Sequence, residues 1–332
     1  MRRAFLLHAL ALAAAGGLPR GALAATAGHA ATVGHAGNAP LRMLIPVKPG
    51  GGWDVTGRAL GRAIQAAGTD AVVSFDNKGG GAAGTIGLAQ FVSGSRGDAR
   101  ALMVMGAVML GGLILEKPPV GLDQATPIAR LTNEYNAIVL PPGSPFKDLK
   151  DVVAQMRRDP GSVRWGGGSR GSTEHIAVAM LARAIGVDPA RINYLAFRGG
   201  GEATAAILAG HVTVGGGGYS ELVEPIRQGL MRPLALTSPE RLPGVAIPTL
   251  REQGLDVVLG NWRGVYGAPG LTPAQARALV ALVSRATETP AWREAVEKNG
   301  WTPALLTGAE FGRFVADEFE RLRTLMARVG MA

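Results

Sequence analysis

Three glycine runs carry the chemistry open to this sequence. The first, Gly50–Gly52, stands in "IPVKPGGGWDVTGRAL", between a short apolar run and a helical pattern. "GGGAAG" (Gly79–Gly84) and "GGGSRG" (Gly166–Gly171) both match G-x-G-x-x-G, the spacing that brings backbone N–H groups onto a dinucleotide pyrophosphate. Two matches so far apart argue against that use, because one dinucleotide needs one. Neither is followed, about 20 residues on, by an acid closing a clean second strand. No G-K-[ST] follows any of the runs, so a phosphate-binding P-loop is absent. What the runs share is simpler. Glycine lets the main chain approach a ligand closely, and N–H groups at a helix start hold negative charge. Two facing loops would grip a small acid from both sides, while some of the glycines make only tight strand-to-helix turns.

Constellations for bond-making chemistry are sparse. There is no G-x-S-x-G elbow. His175 follows Ser169, Ser172 and Thr173 closely, but neighbouring turns of one loop and helix do not build a triad. It reads as a capping or packing residue; a secreted α/β hydrolase using Ser172 and His175 is the alternative. His211 has no evident partner, and no carboxylate pair or histidine cluster has metal-ligand spacing. The chain has 0 cysteines, which excludes disulfides, thiol catalysis and sulfur-held metals. No cofactor is implied. Asp54, the one acid inside the first loop, is either a helix-start charge or a holder of loop amides or a water against the ligand.

The elements that must position these loops recur as a unit: apolar strand, glycine-rich turn, amphipathic helix. "LRMLIPV", "AVVSFDN" and "ALMVMG" read as strands, and "TIGLAQFV" and "LGGLIL" as helices; Leu60, Ile64 and Ala67 fall at helical spacing. A helix is predicted over Leu149–Arg158. "VRWGGGSRGSTEHIAVAMLARAIG" repeats the opening unit, with Ser172 as N-cap and Ile176, Met180, Leu181 and Ala184 on one face. "INYLAF" with "RGGGEATAAILAG" repeats it again, and "MRPLALTS" is a further strand. "VVLGNWRGVYGAPG" looks like a return strand. The last helix, about 309–329, carries a packing stripe of Phe311, Val315, Phe319, Leu322 and Met326, with Phe314 beside it. Strands alternating with helices imply parallel sheets covered on both faces.

With 332 residues, 47% of them apolar, the chain can build two domains. It opens with Arg2 and Arg3, an apolar stretch too short to span a bilayer, and "ALA" at Ala22–Ala24. That is the pattern of an export signal (1–24), cut near Ala24, by a Sec or twin-arginine route. Residues 25–39, with His29 and His35, read as a flexible leader. Losing Arg2, Arg3 and Arg20 takes the net charge from +9 to +6. Basic residues are dispersed and aromatics few, which disfavours nucleic acid.

Taken in order, "PVKPGGGWDVTGRAL", "DNKGGGAAGTIG", "GGGSRGSTEHIA", "FRGGGEATAAILAGHV", "PTLREQGLDVVLGNWRGV" and "APGLTP" resemble the motifs of the periplasmic substrate-binding receptors of tripartite tricarboxylate transporters, the Bug family. The resemblance runs from about Leu41 to the C-terminus. It implies an α/β, two-lobe Venus-flytrap (type II periplasmic-binding-protein) fold with two crossover strands, lobe 1 being 40–138 with 264–332 and lobe 2 being 139–263. It implies a periplasmic monomer that captures a small di- or tricarboxylate without chemistry and passes it to a two-component membrane permease, or presents it to a sensor kinase. Carried over by motif, one binding loop is Gly50, Gly51, Gly52, Trp53 and Asp54. The other is Gly168, Ser169, Gly171, Ser172 and Thr173. Phe197, Arg198, Gly199 and Gly200 would edge the cleft, with Ser220 and Asn261 to Arg263 as weaker candidates. Trp53 and Lys48 depart from what many relatives carry there.

Overall fold

The computed structural model describes residues 40–68, 71–79 and 82–332. The expected signal peptide, its cleavage near Ala24 and the leader 25–39 lie outside the described residues, as do Gly80 and Gly81 of the second glycine run.

The chain begins as repeated strand–helix units: β1 (Leu41–Ile45), α1 (Gly52–Ala66), β2 (Val73–Asn77), α2 (Thr85–Gly94), β3 (Ala101–Gly106), α3 (Ala107–Glu116) and β4 (Thr126–Asn133). A second series follows: β5 (Asn136–Leu140), α4 (Leu149–Arg158), β6 (Arg164–Gly167), α5 (Thr173–Ala184), β7 (Asn193–Ala196), α6 (Gly200–Leu208), β8 (Val214–Gly218), α7 (Tyr219–Arg227) and β9 (Arg232–Leu236). The chain ends with β10 (Arg263–Gly267), α8 (Pro273–Thr287), α9 (Pro290–Asn299), β11 (Thr302–Thr307) and α10 (Gly308–Arg328). These strands form two sheets, ordered β11-β4-β10-β3-β1-β2 and β7-β6-β8-β5-β9.

Local causes are visible element by element. The six residues of β3, "ALMVMG", are all buried, as a central strand covered on both faces requires. Helix α4 is capped by Asp148, whose side chain accepts from the Asp151 N–H. Helix α8 opens with Pro273 behind a Thr272–Gln275 capping box. Phe311, Val315, Leu322 and Met326 bury the inner stripe of α10, and Phe314 and Phe319 pack partly buried against the same core. Strand β8 is almost all glycine because helices crowd it: a Cβ at Gly215 would run into Ile207 of α6.

The sheets are not wholly parallel as the repeated units implied. β1 lies parallel to β2 and β3, and β6 parallel to β7 and β8. But β10 is antiparallel to β3 and β4, and β5 to β8 and β9. The reason is the crossover. A segment that leaves one sheet and enters the other arrives from the opposite direction. The outward crossing is at 134–135 and the return at 261–262, a few residues before the expected boundaries at 138/139 and 263/264. A bridge pairs Tyr135 with Gly260 where the crossing segments pass, and the Asn261 N–H donates to the Glu134 carbonyl at 2.8 Å.

Candidate functional site

The first loop joins β1 to α1. Its left-handed turn at Gly50 (φ +90°) is open to glycine and costly for other residues. The turn is fixed from inside the helix: Asp54 Oδ2 accepts from the Gly50 N–H at 3.0 Å. Arg58 Nε and Asn77 Nδ2 donate to the same carboxylate at 3.0 and 2.9 Å. Burial pushes the Asp54 pKa up, but the Arg58, Gly50 and Asn77 hydrogen bonds outweigh it and the carboxyl sits below its usual value. Two residues after Gly50, the Gly52 carbonyl accepts from Arg263 Nη1 at 3.2 Å and from the Thr56 hydroxyl at 2.8 Å. A Cβ at Gly52 would overlap the Arg263 guanidinium, so only glycine lets that group lie on the loop.

The second loop joins β6 to α5. Gly166 and Gly167 prove to be strand residues rather than turn residues. They are glycines because Val212 and the Tyr194 hydroxyl stand where side chains would go. The turn itself is at Gly171 (φ +78°), whose N–H donates to His175 Nδ1 at 3.2 Å. The His175 ring stacks on Tyr194 with centroids 4.2 Å apart. Burial, with Arg170 nearby, lowers its pKa to about 4, so the ring is neutral at pH 7. Ser172 caps α5, accepting from the His175 N–H at 3.4 Å. The hydroxyl and the ring thus serve the helix start, and Nδ1 is already occupied. They do not form the nucleophile–base pair a hydrolase would need.

Between the loops lies a cavity of about 380 Å³. The starts of α1, α5, α6 and α7 all contribute to its lining. Of the residues singled out from the sequence, Gly51, Gly52, Trp53, Gly168, Ser169, Ser172, Arg198, Gly199, Gly200, Asn261 and Arg263 line it. Gly50, Asp54, Gly171, Thr173, Phe197 and Ser220 stand outside the lining. Asp54 and Gly171 shape the loops from behind. The Thr173 hydroxyl donates to Asn136 at 3.4 Å, Phe197 packs on the second lobe's core, and the Ser220 N–H donates to Glu134 at 2.6 Å. Sequence reasoning passed over Pro46, Val47, Val108, Glu174 and Glu221, named Gly79, Ala83 and Gly84 only within the second glycine run, and left Lys48 open; all of them line the cavity. Both acids also stand in the first turn of their helices, α5 and α7.

The sequence and this geometry have clear relatives. Residues 60–331 match the model of the tripartite tricarboxylate transporter family receptor. The chain belongs to that family. The receptor is 29% identical over 296 residues to protein BugT of Bordetella pertussis, covering 88% of this chain and 89% of BugT. Its fold is that of the periplasmic binding protein BugD, with a TM-score of 0.78 at 22% identity over 88% of this chain and 98% of BugD. MatC of Rhodopseudomonas palustris, solved with bound malate, superposes with a TM-score of 0.76 at 23% identity, covering 86% and 98% of the two chains. It is a solute-binding receptor and not an enzyme.

Two further contacts tie the receptor's lobes together across the cleft. The Gly52 N–H of α1 donates to Glu221 Oε1 of α7 at 2.5 Å, and the other Glu221 oxygen accepts from the Gly218 N–H at 3.2 Å. Gly111 of α3 lies so close to Gly171 that a Cβ there would overlap the Gly171 carbonyl. Beneath the cavity, Arg263 pairs with Glu134, both 1% exposed. Glu134 lies in the outward crossing, and Arg263 opens β10 directly after the return. Burial raises the Glu221 pKa; Arg263 opposes this, Glu134 and Glu174 add to it, and the result is about 7.

The sign of the resulting pH dependence follows. A carboxyl raised from 4.5 in the unfolded chain to about 7 in the fold favours the folded state fully below pH 4.5. That advantage is lost as pH rises to about 7 and is gone above it, a swing of up to roughly 3 kcal/mol. His175 acts oppositely, losing stability as pH falls from 6.5 to about 4. Melting curves from pH 4.5 to 8 should therefore show Glu221→Gln gaining on the parent chain as pH rises. Parallel curves would mean that Glu221 keeps an ordinary pKa.

Proposed function

We propose that this receptor captures a small di- or tricarboxylate outside the cytoplasm and delivers it to a two-component membrane permease. The observation that carries this reading is the cavity itself. About 380 Å³ suits a small acid, and helix starts from both lobes face it. Exposed Lys48 and Arg198 at its rim add attraction for anions. The bound malate of MatC is a ligand of this kind in a chain of the same fold. On this reading the lobes swing about the crossings at 134–135 and 261–262, and the monomer closes over its ligand. BugD, described as a periplasmic binding protein, supports the same compartment for this chain.

Ligand should raise the melting temperature by mass action, with the stabilisation growing as RT ln(1 + [L]/Kd) and reaching about 4 kcal/mol at a thousand times Kd. A thermal-shift screen of citrate, tricarballylate, succinate, malate and aromatic dicarboxylates checks this. No shift with any small carboxylate would overturn it.

A further inference from the structure

The first lobe holds a second cavity that carboxylate capture does not use. Its volume is about 640 Å³, within the range of small-molecule sites. It lies between α3 and α10, against β4 and β10, with the connection 117–125 along one side. No residue lines both cavities: α3 gives Val108 to the cleft, and Leu110 and Leu113 to this one.

The lining is apolar apart from four side chains. Lys117, Asp123 and Glu320 are exposed and stand at the mouth. Glu320 is paired with Arg323, and Lys117 and Asp123 are opposite in sign, so the mouth selects for no net charge. The fourth is Tyr266, 3% exposed, whose ring packs on Phe311. Burial alone raises its pKa, with no hydrogen bond among the described residues to offset it. Its hydroxyl is therefore a neutral phenol in an apolar wall without a partner. Leaving such a group unpaired is costly, so an occupant that brings an oxygen to it is favoured. A carboxylate would have to carry its charge into the apolar lining, which costs more than one phenol donor returns. The walls also set the width of what enters. Leu110, Leu122 and Val315 are buried inside the lobe. A helix, about 10 Å across, would meet only the mouth, whereas a single slender chain reaches Tyr266.

We propose that this cavity is a second binding site, taking an uncharged single-chain amphiphile whose head is one hydroxyl or carbonyl oxygen. The oxygen meets the Tyr266 hydroxyl, and the chain lies among Leu110, Leu113, Leu122, Val315 and Phe319. The site is independent of the carboxylate-receptor reading.

The test is calorimetric titration of the whole chain with n-decanol, with decanoate as its charged twin. The alcohol should bind one per chain. Tyr266→Phe should weaken it about fivefold, the worth of one neutral hydrogen bond. Ala316→Trp, at an exposed lining position on α10, should weaken it at least about tenfold by filling the mouth. Whatever decanoate binding Ala316→Trp removes should be at least about tenfold weaker than that of the alcohol. No saturable binding of n-decanol, or binding that Ala316→Trp leaves unchanged, would overturn the proposal. So would decanoate matching the alcohol at the site that Ala316→Trp closes. An affinity indifferent to Tyr266→Phe would overturn the part given to the hydroxyl. Self-association of the chain that Ala316→Trp abolishes, with no alcohol bound, would assign the face to a second copy and overturn the site.

Discussion

Arg263→Met should cost the fold about 3–5 kcal/mol, the usual consequence of leaving one buried charge behind when its partner is removed. The stranded group would be Glu134, which is 1% exposed and has Arg263 as its ion-pair partner. The same substitution removes the Arg263 hydrogen bonds to the Gly52 carbonyl and to Thr56, both 3.2 Å, so the first loop loses its support too. The diagnostic is the double variant. Arg263→Met with Glu134→Leu should recover most of the loss, because replacing both members of a buried pair with apolar groups is often neutral. Urea melts of the parent, the two single variants and the double variant measure it. A single variant within about 1 kcal/mol of the parent would show that the pair does not compensate buried charge.

Gly51→Val should reduce ligand affinity by at least about thirtyfold, or 2 kcal/mol, while leaving the ligand-free melting temperature nearly unchanged. Gly51 has φ −84° and ψ 169°, an extended conformation that valine adopts readily. Its position across the cleft is what matters. A Cβ there would stand 3.6 Å from Glu221 Oε1 and from the Gly200 nitrogen, in ordinary contact. The two methyl groups of valine would press on both. Separating the lobes relieves that pressure, so the open form tolerates the change and the closed form does not. Small-angle scattering with and without the ligand that shifts the parent protein would show compaction in the parent only. Compaction in both would overturn the argument.

Legibility in the sequence followed side-chain pattern. Helix α4 was read to the residue, and the Ser172 cap and the stripe of α10 were plain, because capping residues and 3.6-residue periodicity are local signals. Gly166 and Gly167 read as turn and are strand, since a glycine chosen for close packing looks like one chosen for flexibility. The fully buried "VGGGG" of β8 gave no strand pattern for the same reason. The antiparallel crossing strands depend on which sheet receives them, a matter of topology that alternating strands and helices do not encode. In the site, the first loop was legible because its glycines and Trp53 are contiguous. Glu221 was not, because its partner Gly52 lies 169 positions away. Nothing in "YSELVEP" announces that its acid reaches another lobe.

The position of β10 has a consequence for how the molecule is assembled. It is the central strand between β3 and β4, yet it comes after the whole series that makes the other sheet. A nascent chain must therefore hold β3 and β4 apart, with open strand edges, until residues 263–267 arrive. The inner sheet, contiguous from β5 to β9, has all its strands beforehand. Its completion brings Asn261 and Arg263 up to Glu134, which aims the returning chain into its slot. Chain order nests the two sheets, the inner one having all its strands before the outer one does. The outer sheet's long sequence separations make it the slow step and the stage at which an unfinished chain is most exposed to edge-to-edge pairing.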